Sequence, residues 1–444
     1  MTLADFLLSE YGAASSTPSP VNRMMAAFAA DFRPTEDINV GVGYVNERTI
    51  PHDLFLEAMR VVLGSPEKYK VPLNYGGSKG SQNLIESIKQ FHVDRGIGGL
   101  TQEIIDRNDV IIGPNGATSL LEGIAHVLSP GIVITSDPMY YIYCNFLERQ
   151  GFELVAVPED GNGIRTDLLR AKLDALGSRE NDIAFVYIVT INNPTSTILS
   201  NERRAELVQI VTELSRRVGR KIPLFFDRAY ENLVHDPTVP PLQSGLLYDT
   251  EGLVYELGTL SKILAPALRI GYMMGNDGQF LRAMVQKTSD VGFSAPLITQ
   301  EIASYLLDLH VQSQLDGVNQ GYRHKARAVK GWIDEYLSEF ITGCSGGKAG
   351  FYFYLTFDDC IQTTEDSAFF TYLSRTTGDV AIDGPDTEKK PRVIYVPGEF
   401  CVHPRGDLVE IGKRQLRLSY GFEELERIEE AIKLMREAAE YAKR

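Results

Sequence analysis

Several kinds of residue and motif are scarce or missing in the 444-residue sequence. Its four cysteines, Cys144, Cys344, Cys360 and Cys401, show no C-x-x-C spacing, so we expect neither a metal site nor a disulfide framework. No apolar run approaches the roughly 20 residues that span a bilayer. The first residues, MTLADFLLSEYG, carry an early acidic residue and no basic segment, so a signal peptide is not expected. These absences predict a cytoplasmic protein.

Positive charge is also in deficit. The 44 lysines and arginines face 59 aspartates and glutamates, which gives a net charge of −15. Such a balance disfavours nucleic acids and anionic membranes as partners, because their phosphates need cationic ligands. Neither a P-loop motif nor a G-x-G-x-x-G motif follows a strand-like run, so a nucleoside triphosphate or a dinucleotide is not indicated.

The apolar residues predict an α/β fold. With 43% hydrophobic and 23% charged residues, the composition is that of a globular protein, and the length favours two domains. Seven apolar runs alternate with helical stretches, which predicts a mostly parallel seven-stranded sheet with helices on both faces. The last two runs are about a dozen residues apart, too few for a helical crossover, so one of them is expected to be antiparallel. The runs cover residues 109–113, 131–137, 152–157, 183–190, 222–227, 252–258 and 269–275.

The pattern changes after residue 316. A long helix over 324–340 precedes strand-like runs at 350–357, 392–398 and 414–421, and a final helix begins at Glu423. This mixture predicts a smaller α+β domain. We therefore expect a large domain over 37–315 and a small domain over 316–444. Residues 1–36 are expected to form an arm, with a short amphipathic helix, that packs with the small domain.

Polar and glycine residues follow the carboxyl ends of five predicted strands, where ligands bind in open α/β sheets. Gly116, Ala117 and Thr118 open a helix, which indicates either an anion site or only a tight turn. Asp227 ends an apolar strand and either meets a cation or caps the next helix. Lys262 lies between two apolar runs, where burial would make its amine a neutral nucleophile; otherwise it is an exposed loop lysine.

Six segments, taken in order, resemble those of the pyridoxal-phosphate-dependent aminotransferases of fold type I, class I/II. "GTLSKILAPALRIGYM" is similar to the family's Schiff-base lysine motif, and "FFDRAYENL" to its Asp-x-x-Tyr strand. "NNPTS", "DPMYY", "LNYGGSKG" and "LRLSYG" resemble four further family motifs. The resemblance covers the chain from about residue 35 onward and implies pyridoxal 5′-phosphate (PLP) as the cofactor.

The resemblance implies a role for each polar residue of these motifs. Lys262 is expected to form a Schiff base with the cofactor and to shuttle a proton, while Asp227 keeps the pyridine nitrogen protonated. Tyr230 and Asn193 are expected to hydrogen-bond the phenolic oxygen of the ring, and Tyr140 to stack on its face. The expected phosphate ligands are Gly116, Ala117, Thr118, Thr259, Ser261 and Arg269.

The same resemblance implies how subunits and substrates bind. Tyr75 is expected to reach the phosphate of a neighbouring subunit, which implies a homodimer. Arg417 is expected to bind the α-carboxylate of the substrate, with Gly43 and Asn193 beside it. Arg23 either reads an acidic side chain or is a solvated helix arginine. Tyr44, Tyr140, Tyr141 and Phe400 could equally line an aromatic pocket.

The expected reaction moves the amino group of an α-amino acid to a 2-oxo acid, with 2-oxoglutarate as the first choice, by a ping-pong mechanism. A lyase or decarboxylase on the same fold remains an alternative, as does a non-catalytic regulator, although such regulators carry a DNA-binding domain before the fold. Three positions depart from the family pattern: Ser196 replaces a glycine, Val45 a proline and Ile85 an arginine. These departures leave the shape of the substrate pocket open.

Overall fold

The computed structural model describes residues 6–385 and 388–444. Residues 1–5 of the predicted arm and 386–387 of the predicted small domain lie outside this description. The helices are α1 (Glu10–Ser15), α2 (Pro20–Ala29), α3 (His52–Gly64), α4 (Gln82–Asp94), α5 (Gln102–Asp106), α6 (Gly116–Val127), α7 (Tyr141–Arg149), α8 (Thr166–Leu176), α9 (Asn201–Val218), α10 (Gln279–Lys287), α11 (Leu297–Leu309), α12 (Val311–Tyr336), α13 (Ala368–Ser374), α14 (Val380–Asp383), α15 (Val409–Gly412) and α16 (Leu425–Ala442). The strands are β1 (Ile38–Asn39), β2 (Asn108–Ile112), β3 (Ile132–Asp137), β4 (Glu153–Asp160), β5 (Gly163–Ile164), β6 (Ile183–Val189), β7 (Leu224–Asp227), β8 (Val254–Thr259), β9 (Gly271–Asn276), β10 (Ile341–Gly346), β11 (Tyr352–Phe357), β12 (Val393–Ile394), β13 (Val396–Pro397) and β14 (Gln415–Ser419).

The central sheet has the strand order β2-β9-β8-β7-β6-β3-β4-β5. Strands β4, β3, β6, β7 and β8 are parallel, and β9 is antiparallel to both of its neighbours. The mostly parallel sheet and the single reversal among the last two predicted runs are therefore confirmed. All seven runs form strands. An eighth strand was not predicted, because β4 extends past its apolar run and folds back as a short hairpin with β5.

Helices cover both faces of this sheet, because successive strand residues point to opposite sides. On β7, Phe225 packs in a cluster with Leu121 of α6 and Met284 of α10. The next residue, Phe226, belongs to a second cluster that includes Leu207 of α9. Strands with both faces buried are continuously apolar, which is why their sequence predicts them well.

A second, antiparallel sheet follows in the C-terminal part, with the order β10-β11-β14-β13. It contains the predicted runs at 350–357 and 414–421 and the part of the run at 392–398 that forms β13. Strand β10 was not predicted. The long helix α12 begins at Val311, well before the expected residue 324. The predicted boundary at 315/316 consequently falls inside this helix.

Helix α2 lies over the second sheet. Its buried side chains, Val21, Met24 and Phe28, form one apolar cluster with Tyr354, Ile394, Val396, Cys401 and also Tyr141 of α7. The N-terminal segment thus contacts residues from both predicted domains. This placement brings α2 beside Tyr141, at the start of α7.

Candidate active site

Most of the predicted site residues line one cavity of about 260 Å³ at the carboxyl edge of the central sheet. They arrive on the segments that follow β2, β3, β6, β7 and β8, as expected for a ligand crevice in an open α/β sheet. The predicted residues in its wall are Gly43, Ala117, Thr118, Tyr140, Asn193, Asp227, Tyr230, Thr259, Ser261, Lys262 and Arg269. A larger cavity of about 840 Å³, near Gly131 and Gly252, contains none of them.

One end of this cavity is built for an anion. Asn115, the N-cap residue of α6, makes no capping bond with its side chain, and its Oδ1 instead accepts a hydrogen bond from Arg269 Nε at 2.8 Å. Gly116 has a φ of +69°, and a Cβ at this position would lie 3.0 Å from the Arg269 guanidinium. A Cβ on Gly271 would lie 2.1 Å from the Ala117 nitrogen. The two glycines therefore let the arginine approach the positive end of a helix.

Two hydroxyls lie at the same end of the cavity. The Thr259 hydroxyl donates to the Ile270 carbonyl at 2.9 Å and lies 3.0 Å from the Ser261 hydroxyl. The backbone N–H of Ser261 donates to Thr259 Oγ1. With Arg269 and the first turn of α6, they form a group of donors that suits a phosphate.

Lys262 presents its amine to the same cavity. Its Nζ donates to the Gly43 carbonyl at 3.0 Å and lies 5.6 Å from the ring centroids of both Tyr230 and Phe351. Burial, together with the positive charges of Arg417 and Arg269, lowers the pKa of this amine to about 8, although Asp227 acts in the opposite direction. About a tenth of the amine is therefore neutral and nucleophilic at pH 7, and about half at pH 8.

Asp227 ends β7 as a buried carboxylate. Its Oδ2 accepts a hydrogen bond from the Tyr187 hydroxyl at 2.8 Å, and its Oδ1 accepts one from the Ala229 N–H at 3.0 Å. Burial raises the pKa of Asp227, while these two donors limit the rise. Tyr187 was missed, because it lies within the apolar run of β6 and reads there as a core residue.

The remaining polar groups form a linked set. The hydroxyls of Tyr230 and Tyr352 lie 2.9 Å apart, and Asn193 Oδ1 accepts a hydrogen bond from Arg417 Nη1 at 2.7 Å. Arg417 is 3% exposed, its Nε has no hydrogen-bond partner, and its guanidinium lies 4.4 Å from the ring centroid of Tyr352. A buried arginine with an unsatisfied donor fits a carboxylate ligand. Tyr352 was also absent from the predicted set.

A buried ion network supports the segment that carries Asp227 and Tyr230. Arg228, the residue after Asp227, pairs with Glu231 and Glu256, and Glu231 also pairs with Arg204. Although burial raises the pKa of Glu231, Arg204 and Arg228 lower it to about 2. Glu231 is therefore ionised and pairs with two arginines, which holds the loop after β7 in place.

Four predicted residues are not in the cavity wall. Arg417 lies next to it, bound to the wall residue Asn193. Gly116 lies just behind it, against Arg269. Tyr75 is 76% exposed and packs edge-on against Phe293 at 4.9 Å. Arg23 lies on the outer face of α2 and pairs with Glu365 at 2.8 Å. The structure thus does not bring Arg23 into the site, because helical periodicity turns Asn22 and Met25 inward and Arg23 outward.

The three departures from the family pattern also have clear positions. Ser196 has a φ of +51°, in the region where glycine is favoured, and its Oγ has no hydrogen-bond partner. Val45 and Ile85 are buried in the main apolar core. None of the three lines the 260 Å³ cavity.

PLP fits these residues. A group of donors around Arg269 matches its phosphate, a buried carboxylate matches its pyridine nitrogen, and an amine of lowered pKa matches its aldehyde. Within residues 6–385 and 388–444, no helix is long and apolar enough to cross a membrane. The same residues contain no cluster of three or more His, Cys, Asp or Glu side chains that could hold a metal ion.

Comparisons with known proteins agree with this geometry. The family model "Aminotransferase class I and II" matches residues 65–383. Aromatic-amino-acid aminotransferase 1 of Thermococcus litoralis is 25% identical over 407 residues, which cover 90% of this chain and 87% of that protein. The uncharacterized HTH-type transcriptional regulator YisV of Bacillus subtilis is 24% identical over 90% of this chain and 73% of its own length.

The crystal structure of a multiple substrate aminotransferase from Thermococcus profundus superposes with a TM-score of 0.81 at 21% sequence identity. The alignment covers 98% of each chain, so the fold is that of the fold type I aminotransferases. The chain belongs to the aminotransferase class I and II family, and it is a transaminase whose cofactor is PLP.

Proposed function

We propose that this transaminase moves the amino group of an α-amino acid to a 2-oxo acid, with 2-oxoglutarate as an acceptor, in two half-reactions of a ping-pong cycle. The observation that carries the proposal is Lys262. Its amine has a pKa of about 8 and shares a cavity with the Arg269 anion site and the Asp227 carboxylate.

When bound, PLP supplies an aldehyde that captures amino groups and a ring that accepts the electron pair left on the substrate Cα. The protein supplies the proton transfer. The neutral amine of Lys262 is the general base that takes the proton from Cα, and its pKa close to working pH suits both removal and return of that proton.

The other residues orient and tune the reacting groups. Asp227 holds a proton on the pyridine nitrogen, and Tyr187 keeps that carboxylate in place through its hydrogen bond. When PLP is bound, Tyr230 and Asn193 would offer hydrogen bonds to its phenolic oxygen, and Tyr140 would lie against its ring. Arg417 binds the α-carboxylate, so that its position fixes Cα relative to Lys262.

We also propose a cytoplasmic homodimer in which Tyr75 serves the neighbouring site. Tyr75 and Phe293 contact each other and are exposed, and Leu73 and Val291, close to them in sequence, are 77% and 73% exposed. Exposed apolar surface of this kind is typical of an interface. Mixing Tyr75→Ala and Lys262→Ala subunits tests this arrangement, because a mixed dimer would regain one complete site; activity no higher than that of either variant would contradict it.

The domain organisation remains a proposal: an arm over 1–36, a large PLP-binding domain over 37–315 and a small domain over 316–444. Because α12 crosses the boundary without interruption, we expect the small domain to move with that helix.

A half-reaction experiment tests the function. The PLP-loaded protein is mixed with single amino acids and no acceptor, and we expect one equivalent of oxo acid and conversion of the cofactor to its amine form. Addition of 2-oxoglutarate should then restore the starting spectrum. Ammonia or carbon dioxide release without the amine form would instead assign a lyase or a decarboxylase. No change with any amino acid would favour a non-catalytic regulator.

A further inference from the structure

A second cavity of about 450 Å³ adjoins the one that contains Lys262. The two cavities share Gly43 and Tyr44, and Arg417 lies in the wall of the second. An amino acid carries its side chain on the same carbon as its carboxylate and its amino group. With the carboxylate on Arg417 and the amino group directed to Lys262, the side chain therefore starts where the two cavities meet.

The wall of this second cavity is mainly apolar. Helix α2 contributes Val21, Met25 and Phe28, Phe32 follows that helix, and Tyr141 and Ile142 come from α7. Tyr44 and Ile142 are 63% and 50% exposed, so the cavity opens to solvent on that side. Its volume lies within the roughly 300–1,000 Å³ of small-molecule pockets.

The charged residues nearby are already paired. Among the residues that the structure describes, Arg417 is the cation that lines this cavity. Behind Phe28, the Arg392 guanidinium lies 4.7 Å from the ring centroid but binds Asp37 at 2.7 Å and Asp31 at 2.8 Å. Arg23, on the outer face of α2, is bound to Glu365. Within residues 6–385 and 388–444, a second carboxylate on the substrate would thus meet no uncommitted cation at this cavity.

Among the residues that the structure describes, the other polar groups on this wall are neutral: two amides and the hydroxyls of Tyr44 and Tyr141. Asn22 and Asn39 line the cavity, and Asn39 already accepts hydrogen bonds from the N–H groups of Gly41 and Val42 through its Oδ1. An amide N–H can hydrogen-bond a carboxylate, but it does not neutralise the charge, and an unpaired charge is costly to remove from water.

We propose that this cavity receives the substrate side chain and selects large apolar or aromatic amino acids over acidic ones. The inference rests on the proposed function for the placement of the carboxylate and the amino group. Aromatic oxo acids are accordingly better acceptors than 2-oxoglutarate, whose second carboxylate meets only neutral amides and hydroxyls on the described wall.

Binding of unreactive acids tests the cavity without any amino transfer. The PLP-loaded protein is titrated in a calorimeter with propionate, 3-phenylpropionate and glutarate, which share one carboxylate and differ beyond it. We expect 3-phenylpropionate to bind at least about tenfold more tightly than propionate, since a buried phenyl group contributes well over one factor of ten in affinity. Glutarate should bind no more tightly than propionate. Equal affinities, or tightest binding of glutarate, would overturn the inference.

Charge placed in the wall gives a second test. Met25→Arg should shift the ratio of kcat/KM for phenylalanine to that for glutamate toward glutamate by about tenfold or more. Arg23→Met, two residues earlier on the outer face of the same helix, should leave this ratio unchanged. If Met25→Arg does not fold, Ile142→Arg places the same charge on the opposite, half-exposed wall. An unchanged ratio in a folded wall variant contradicts the proposal.

The outcomes separate the two proposals. If amino transfer favours glutamate over phenylalanine, the proposed selectivity is wrong and the proposed function stands. If no donor supports amino transfer but the acids bind in the expected order, the proposed function is wrong and the proposed selectivity of the cavity stands.

Discussion

The hydrogen bond between Tyr187 and Asp227 offers a sharp test of how the cofactor is held. Both side chains are buried, and the bond length is 2.8 Å. A Tyr187→Phe substitution removes the hydroxyl and leaves the ring, so the carboxylate loses one of its two protein donors. Because that donor limits the rise of the Asp227 pKa, its loss raises the pKa further. A larger fraction of Asp227 is then protonated and unable to hold a proton on the pyridine nitrogen.

The expected magnitude follows from the charge on the acceptor. A hydrogen bond to a charged group contributes about 1.5–3 kcal/mol. At 1.36 kcal/mol per factor of ten, this corresponds to a loss of about 10- to 150-fold. We expect the loss in PLP affinity and in kcat, and we expect it to be larger at acidic pH, where the raised pKa keeps more of the carboxyl group protonated.

The assay measures the PLP dissociation constant between pH 6 and 9 by cofactor absorbance, alongside kcat. Tyr143→Phe is the matched control: its ring lies 4.8 Å from that of Tyr187, and its buried hydroxyl has no hydrogen-bond partner. The control should behave as the unsubstituted protein does. Equal losses in the two variants, or unchanged PLP affinity in Tyr187→Phe, would refute the reasoning.

Three further predictions follow from the site and its surroundings. Arg417→Ala should lower kcat/KM for alanine, leucine and phenylalanine by a similar factor of about 30 or more, since losing one partner of a buried charge pair costs about 2–5 kcal/mol; a loss confined to one donor would contradict the carboxylate role. Burial raises the pKa of Glu159 from 4.5 to about 7, so between these values the folded state holds a proton that the unfolded state has released, and stability falls as pH rises. The free energy of unfolding of Glu159→Gln, relative to that of the unsubstituted protein, should therefore rise by about 1–3 kcal/mol between pH 5 and pH 8. Urea unfolding at each pH measures this difference, and parallel pH curves for the two proteins would count against the assignment. Ser196→Gly should raise the free energy of unfolding by up to about 1 kcal/mol, because a φ of +51° strains a residue with a Cβ, whereas Ser196→Ala should gain less.

The sequence predicts the central sheet well for a physical reason. Its strands are buried on both faces, so each is an uninterrupted apolar run, and the short spacing between the last two runs indicates the reversal at β9. The start of α12 was harder to find, since Gly317 and Gly321 interrupt the pattern. Even so, its buried residues recur at helical spacing, which predicts the longer helix. They are Val311, Leu315, Val318 and Tyr322.

The site residues likewise differ in how clearly the sequence reveals them. Lys262, Asp227 and Arg269 lie at or near strand ends and carry charge, so they stand out from apolar surroundings. Tyr187 and Tyr352 lie inside strands, where a tyrosine is indistinguishable from a core residue until its hydroxyl is seen near a partner. One partner of Arg228 is likewise distant in sequence, because Glu256 lies on β8. Arg23 is the opposite case: its charge marks it as a candidate in the sequence, and only the orientation of α2 shows that its side chain points away from the cavity.

The most direct measurement concerns the covalent partner of the cofactor. The native PLP-loaded protein is reduced with borohydride, digested and mapped by mass spectrometry. We expect one pyridoxyl-phosphate label per chain, on Lys262. A label on a different lysine, or no label on protein shown to contain PLP, would contradict the central claim that the amine at this position captures the cofactor.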